Sequence, residues 1–380
     1  MKIVFAIDSF KGSMSSLQAG QAAAEGAKRV WPDAEVVVRP LADGGEGTVE
    51  ALAAGMGGSI RVVDVEGPLG ETVKCAYGVI EESKTAVIEM AAASGLTLVP
   101  PALRDPMNTS TYGVGQVIAD AMELGCRRFI VGIGGSATND GGAGMLQALG
   151  FGLKDETGAD IPRGAKGLEK LARIEEDNVL PALKECTFRV ACDVTNPLCG
   201  EKGASAIFGP QKGATEKTIP LMDGWLAQYA ELAKQTHENA DAWHPGTGAA
   251  GGLGFAFRTF LNAELRSGIA IVLEETNLKA HLADADIAVT GEGRLDGQTA
   301  MGKAPIGVAA LAKQCGCLTI ALSGAVTRDA GACNEAGIDA FFPIVRGVTT
   351  LEDAMDVENA VANMADAAEQ AFRLVKAVKG

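Results

Sequence analysis

Acidic, basic and hydroxyl side chains follow four apolar segments, each at the point where a strand is predicted to end. They are Asp8, Ser9 and Lys11; Asp43 and Glu46; Asp193, Thr195 and Asn196; and Glu292, Arg294 and Asp296. Carboxylates in such positions can bind Mg2+ or accept a proton from a hydroxyl group, and cations can neutralise a phosphoryl group during its transfer. A helix cap or a solvated turn explains any single one of these residues equally well. Their combined placement favours a catalytic site.

The most glycine-rich segment, residues 134–144, follows a predicted strand and leads into a predicted helix. Successive backbone N–H groups in such a turn, together with the positive end of a helix, can bind an anion. Ser136 and Thr138 add hydroxyl donors. A tight turn between packed elements is the alternative, but one or two glycines would be enough for that. The pattern therefore predicts a phosphate-binding loop.

Residues 297–304 have nearly the spacing of a Walker A motif, but they lack the final serine or threonine that would hold magnesium. Pro305 follows at once, in the first turn of a predicted helix. We interpret the spacing as a coincidence and keep Lys303, beside the helix start, as a candidate phosphate contact. The three histidines lie in polar segments without the spacing of metal ligands, which favours surface positions.

Strands alternate with helices at both ends of the sequence. Strands are predicted at residues 2–7, 35–39, 287–290, 318–322 and 340–343, and helices at about 16–30, 49–56, 305–314 and 353–376. This alternation predicts a parallel sheet covered by helices, in which ligands bind outside the carboxyl ends of the strands. Between the two ends, short strands at 61–65, 73–79 and 85–89 predict antiparallel hairpins.

At 380 residues the chain is long enough for two domains. We predict an α/β fold in which residues 1–74 and 281–380 form a discontinuous, doubly wound, Rossmann-like domain. Residues 75–280 are predicted to form a mixed α/β domain inserted into it.

The formal net charge is −15, which disfavours nucleic acid and acidic membranes as partners. Eight cysteines occur without a CxxC pair or zinc-ligand spacing, a pattern typical of reduced thiols. No apolar run reaches the roughly 18 residues that a membrane-spanning helix needs, and no signal peptide is recognisable. The sequence predicts a cytoplasmic protein.

Seven segments resemble the glycerate kinase family of bacteria. They are residues 8–11, 42–48, 89–96, 134–142, 191–198, 208–214 and 290–296, and they follow one another in the family's order over nearly the whole chain. The resemblance implies phosphorylation of D-glycerate by ATP and Mg2+, with 2-phosphoglycerate favoured over 3-phosphoglycerate as the product. It also implies two α/β domains with the active site in the cleft between them, and a cleft that closes to exclude water.

With this resemblance, each candidate residue can be given an expected role. Asp193 is the first choice for general base or magnesium ligand, and Lys11, Asp8 and Arg294 complete the catalytic group. The expected ATP-binding residues are Gly134, Gly135, Ser136, Thr138, Asn139, Asp140 and Lys303. The expected glycerate-binding residues are Ser9, Asp43, Gly44, Glu46, Asn196, Glu292 and Asp296.

Two other functions remain open at this point. One is a kinase for a different hydroxy acid or polyol, and the other is a sensor that binds ATP or a sugar acid without turnover. The carboxylates at the strand ends speak against the sensor. We expect small-molecule substrates and a chain that is a monomer or a homodimer.

Overall fold

The structure is a computed structural model that describes residues 1–42, 44–45 and 47–379. Its strands are β1 (Lys2–Phe5), β2 (Glu35–Val38), β3 (Ser59–Glu66), β4 (Thr72–Ile80), β5 (Thr85–Glu89), β6 (Arg128–Gly132), β7 (Gly152–Lys154), β8 (Arg173–Glu175), β9 (Thr187–Ala191), β10 (Glu264–Arg266), β11 (Ile287–Thr290), β12 (Arg294–Leu295), β13 (Leu318–Ser323), β14 (Ala325–Val326) and β15 (Ala340–Pro343).

Fifteen α-helices accompany these strands in the described part of the chain. They are α1 (Ser16–Val30), α2 (Thr48–Gly55), α3 (Ala91–Ser94), α4 (Tyr112–Glu123), α5 (Ala143–Ala148), α6 (Ala165–Leu168), α7 (Ala204–Phe208), α8 (Thr218–Ala233), α9 (Ala249–Phe260), α10 (Gly268–Glu275), α11 (Leu278–Leu282), α12 (Ala304–Cys315), α13 (Ala332–Glu335), α14 (Leu351–Met355) and α15 (Val357–Lys379).

The chain forms two compact units. Unit 1 comprises Met1–Asp43, Glu50–Gly57 and Ile269–Gly380, and unit 2 comprises Gly44–Val49 and Gly58–Gly268. The predicted domain boundaries lie instead at 74/75 and 280/281. The first boundary of unit 2 lies earlier in the chain than predicted, because β3 and β4 belong to the sheet of unit 2. The predicted domain boundaries, and the predicted cleft between two separately folding domains, stay predictions.

Unit 1 is built on a five-stranded sheet in the order β15-β13-β11-β1-β2, with every neighbouring pair parallel. The predicted doubly wound sheet is confirmed. Its strand order is that of the flavodoxin type rather than the order of the original Rossmann fold. In this order the chain changes direction across the sheet between β1 and β11, and the loops after these two strands diverge there.

Alternation along the strands of unit 1 produces two apolar faces. Ile3 and Phe5 of β1 are fully buried in one cluster with α1 and α15, and the ring of Phe5 meets that of Phe372 edge-on at 6.1 Å. Ala321 of β13 lies in another cluster with Ala309 of α12. Helices therefore cover both faces, which leaves the carboxyl ends of the strands as the place for a ligand.

Unit 2 contains a six-stranded mixed sheet in the order β10-β9-β6-β5-β4-β3. Strands β3, β4 and β5 pair antiparallel, as their sequences predict, whereas β5, β6, β9 and β10 pair parallel. The core includes Phe129 and Phe188, whose rings stack at 4.8 Å. The glycine-rich segment follows β6, at the centre of this sheet.

Candidate active site

The loops that follow β1 and β11 line one cavity in unit 1, with a volume of about 860 Å3. This is the position where a flavodoxin-type sheet binds its ligand. Seven of the residues expected from the sequence line the cavity: Asp8, Ser9, Lys11, Glu292, Arg294, Asp296 and Lys303. The structure therefore brings together residues that lie almost three hundred positions apart in the sequence, from about residue 10 to about residue 300.

The turn after β1 holds Asp8 in a largely buried position, with 7% of the residue exposed. The backbone N–H of Ser9 donates to the Asp8 Oδ1 at 2.7 Å, and the N–H of Phe10 donates to the Met14 carbonyl at 2.9 Å. Lys11 is exposed in this turn. The turn thus presents a carboxylate and an ammonium group to the same cavity.

The turn after β11 is organised by a carboxylate that is partly buried. Glu292 Oε1 accepts a hydrogen bond from the Thr299 hydroxyl at 2.5 Å, and its Oε2 lies 3.6 Å from the Lys303 ammonium group. Burial raises the pKa of the Glu292 carboxyl, while the Thr299 hydroxyl and Lys303 oppose this effect. Lys303 is therefore held beside the cavity at the start of α12, as the sequence predicts for its position.

Arg294 and Asp296 of this turn carry opposite charges. Asp296 Oδ1 accepts the backbone N–H groups of Gln298 and Thr299 at 3.0 and 3.1 Å, so one carboxylate oxygen fixes the turn. The Arg294 Nε lies 3.5 Å from Asp296 Oδ2, and the Arg294 side chain is 67% exposed. An exposed guanidinium of this kind can exchange its carboxylate partner for an anionic ligand at small cost.

The glycine-rich segment of unit 2 is divided into an exposed and a buried part. Gly134 and Gly135 are exposed, whereas residues 136–146 are buried. A Cβ on Gly142 would lie 2.4 Å from the Ala256 Cβ, and one on Gly144 would lie 2.3 Å from the Ser110 hydroxyl oxygen. Close packing, rather than approach to a ligand, therefore explains the later glycines.

The carboxylate of Asp140 binds the amide groups at the start of α5. It accepts hydrogen bonds from the backbone N–H groups of Gly142 and Gly144, and from the N–H and the hydroxyl of Thr111. Burial raises the pKa of Asp140, and these four donors oppose the effect. A carboxyl group of the protein itself thus lies where the sequence predicts phosphate, and α5 is only six residues long.

The side chains of Thr138, Asn139 and Asp140 are all fully buried. Asn139 donates to the Ser205 hydroxyl oxygen at 2.8 Å. Contact of this segment with ATP stays a prediction, and in this arrangement only Gly134 and Gly135 are exposed enough to make it.

Lys212 is a buried cation that the sequence analysis does not single out. Its ammonium group donates to the Ser136 Oγ at 2.7 Å and to the Thr138 carbonyl at 2.6 Å, and 1% of the residue is exposed. Burial lowers the pKa of Lys212 from 10.5 to about 7, against the opposing attraction of Asp140. Its only sequence signal is its place in residues 208–214, one of the segments that carry the family resemblance.

We expect the free energy of unfolding to depend less on pH in the Lys212→Met variant than in the parent protein. Between pH 7 and 10.5 the unfolded chain holds the Lys212 proton and the folded chain releases it, so the free energy of unfolding rises with pH. The expected gain from pH 7.5 to 9.0 is about 2 kcal/mol larger in the parent protein than in the variant. Guanidinium unfolding at the two pH values measures it.

The exposed Lys217 supplies the control, because Lys217→Met removes an equal charge without altering a buried group. A parent protein and a Lys212→Met variant with the same pH dependence would contradict the assignment of a depressed pKa to Lys212.

Asp193 and Asn196 follow β9 in unit 2. Asp193 is exposed, and its Oδ1 accepts the backbone N–H of Gly268 at 3.0 Å, while the Asn196 amide donates to the Lys202 carbonyl at 2.8 Å. Gly44 packs beside the end of the same strand, since a Cβ on it would lie 2.6 Å from the Ala191 Cβ. Asp43 and Glu46 lie outside the described residues. The roles expected for these residues stay predictions.

Two features are absent from the described residues. No cluster of three or more histidine, cysteine, aspartate or glutamate side chains has a metal-binding arrangement there. Within the same residues, every helix is too short or too polar to cross a membrane.

Comparison with known proteins gives consistent matches over nearly the whole chain. The sequence model described as "Glycerate kinase family" matches residues 3–376. Glycerate 2-kinase of Escherichia coli (strain K12) is 50% identical over 354 residues, which cover 93% of each chain. Glycerate kinase of Halalkalibacterium halodurans is 49% identical over 368 residues, covering 96% of this chain and 97% of the relative. A crystal structure from Salmonella typhimurium LT2, titled for glycerate kinase 2, matches with a TM-score of 0.92 and 47% identity, over 100% of this chain and 99% of the other.

Proposed function

Because the chain belongs to the glycerate kinase family, we propose that it is an ATP-dependent kinase that phosphorylates D-glycerate and forms 2-phosphoglycerate in preference to 3-phosphoglycerate. The observation that carries this proposal is the 50% identity to a glycerate 2-kinase over 93% of both chains. The cavity of unit 1 supports it, since it gathers three cations and three carboxylates at the ends of β1 and β11.

Phosphoryl transfer needs positioned reactants and cations that neutralise charge, rather than covalent help from the protein. Lys11, Arg294 and Lys303 neutralise the phosphate groups or the glycerate carboxylate in this proposal. Asp193 accepts the proton of the attacking hydroxyl group, and the N–H of Gly268 fixes the orientation of its carboxylate. Asp8, Asp43 and Asp296 are the next candidates for the base.

Mg2+ is part of the proposal because a hard cation prefers oxygen ligands and needs only one or two protein carboxylates beside the phosphates. The carboxylates at the strand ends fit this donor set, with Asp193 as the first choice and Asp8, Asp43 and Asp296 as the alternatives. The ion would supply charge neutralisation between the phosphate oxygens. The proposed setting is the cytoplasm, which supplies ATP and suits the eight free cysteines.

Phosphorus NMR of the product from D-glycerate, ATP and Mg2+ tests the proposal. The expected result is the resonance of 2-phosphoglycerate together with ADP, and no ADP above background when glycerate is omitted. A resonance of 3-phosphoglycerate would contradict the position of transfer. Turnover of other hydroxy acids or polyols, but not of glycerate, would favour the different kinase, and binding without turnover would favour the sensor.

A further inference from the structure

The segment after β15 adds an apolar wall to the cavity of unit 1. We define this wall by Val348, Leu351 and Met355, which line the cavity beside the polar residues of the β1 and β11 turns. Val348 is fully exposed, Leu351 is 76% exposed and Met355 is 37% exposed. The polar residues and cations of the turns after β1 and β11 do not explain why apolar side chains line the cavity here.

The wall is preformed rather than a loose loop. Thr350 caps α14, because its hydroxyl oxygen accepts the backbone N–H of Asp353 at 3.1 Å, and this cap places Leu351 in the first turn. At its other end the wall lies close to the β1 turn, since a Cβ on Gly12 would lie 2.9 Å from the terminal methyl carbon of Met355. Apolar side chains and Lys11 therefore border the same space.

Exposed leucine and valine side chains gain free energy when a ligand covers them. A ligand that combines a surface for the apolar wall with negative charge can contact Lys11, Arg294 and Lys303 in the same cavity. We propose that the base of ATP packs against Val348, Leu351 and Met355 while its phosphates meet these three cations. This assignment rests on the proposed kinase function and places the nucleotide on unit 1.

Glycerate alone does not fit these observations. A three-carbon hydroxy acid fills only a small part of a cavity of about 860 Å3, and ligand sites of this size suit molecules as large as a nucleotide. It also has too little apolar surface to cover the wall. A protein partner or a second copy of the chain could cover the wall, but the three cations that line the same cavity favour a ligand that also carries negative charge.

The geometry of unit 2 is consistent with this assignment. The amide groups at the start of α5, which the sequence predicts as a phosphate site, bind the Asp140 carboxylate instead. Phosphate would have to displace a buried carboxyl group that accepts hydrogen bonds from four donors. The cations that line the cavity of unit 1 are more exposed than Asp140, so phosphate could reach them without displacing a buried group.

Titration calorimetry on the full chain, with ATP and with inorganic triphosphate as separate probes, tests the proposal. The variants are Val348→Ser and Leu351→Ser, and Leu374→Ser on α15 is the matched control because Leu374 is also exposed, at 57%, and lies outside the cavity. We expect each wall variant to raise the Kd for ATP by about tenfold. The Kd for triphosphate and the KM for glycerate should change by less than about twofold.

Several results would overturn the proposal. They are an unchanged Kd for ATP in both wall variants, an equal weakening of triphosphate, and a rise in the KM for glycerate alone. A change of sedimentation coefficient in the wall variants, with ATP binding intact, would assign the wall to a second copy of the chain. The result for ATP binding is separate from that of the product assay, because calorimetry measures the Kd for ATP without turnover.

Discussion

Replacing Lys11 with alanine is expected to lower kcat/KM for glycerate phosphorylation by about two to three orders of magnitude. ATP and glycerate are both anions, while the protein has a formal net charge of −15, so long-range electrostatic repulsion opposes binding. Short-range donors must supply the affinity and stabilise the transferring group. Lys11 lies at the end of β1 in the cavity that also contains Arg294 and Lys303.

Steady-state kinetics of Lys11→Ala and Lys11→Arg measure this effect. Arginine should recover only part of the activity, because a planar guanidinium replaces a compact ammonium group. Lys28→Ala is the control, since Lys28 is an exposed lysine of α1 in the same unit and lies outside the cavity. Values of kcat/KM within threefold of the parent for both Lys11 variants would show that Lys11 is only a solvated turn residue.

Replacing Asp193 with asparagine is expected to lower kcat by about two orders of magnitude or more. Asparagine has the same shape and keeps an oxygen that can accept the N–H of Gly268, whereas it can neither take up a proton nor offer a charged oxygen to Mg2+. The loss should therefore appear in kcat, with little change in the unfolding midpoint.

Asp223→Asn is the matched control for the second prediction. Asp223 also accepts a backbone N–H in unit 2, from Gly200 at 2.9 Å, but it follows no strand of the sheet. An unchanged kcat in Asp193→Asn would move the role of base to Asp8, Asp43 or Asp296. A lower unfolding midpoint with normal kcat would identify Asp193 as a structural residue that fixes Gly268.

The positions of strands and helices that depend on hydrophobic alternation and local capping signals could be predicted from the sequence. The strand at Ile287–Thr290 and the helix at Ser16–Val30 lie where they are predicted, the latter because Ser15 and Gln18 form a capping box. The convergence of Asp8 and Glu292 also follows from the sequence, since parallel strands place their carboxyl ends at one edge.

Features that depend on distant packing could not be predicted in this way. The glycine pattern at 134–144 is the same whether a phosphate or Ala256 approaches the backbone, and only the fold distinguishes the two. Lys212 has an ordinary local sequence, and its burial arises from contacts with Ser136 and Thr138, more than seventy positions away. The wall at Val348 and Leu351 is likewise visible only once α14 is placed beside the β1 turn.

Because unit 1 is discontinuous in sequence, its sheet cannot be completed until late in the synthesis of the chain. The backbone N–H of Lys2 binds the Asp286 carboxylate across 284 positions of sequence, and β1 pairs with β11 on that side. Gly58–Gly268, most of unit 2, is therefore synthesised while β1 and α1 still lack the strands and the helix that cover Ile3 and Phe5. During translation these apolar faces stay available to chaperones, and the proposed nucleotide site at the β1 turn can be complete only after β11 has emerged.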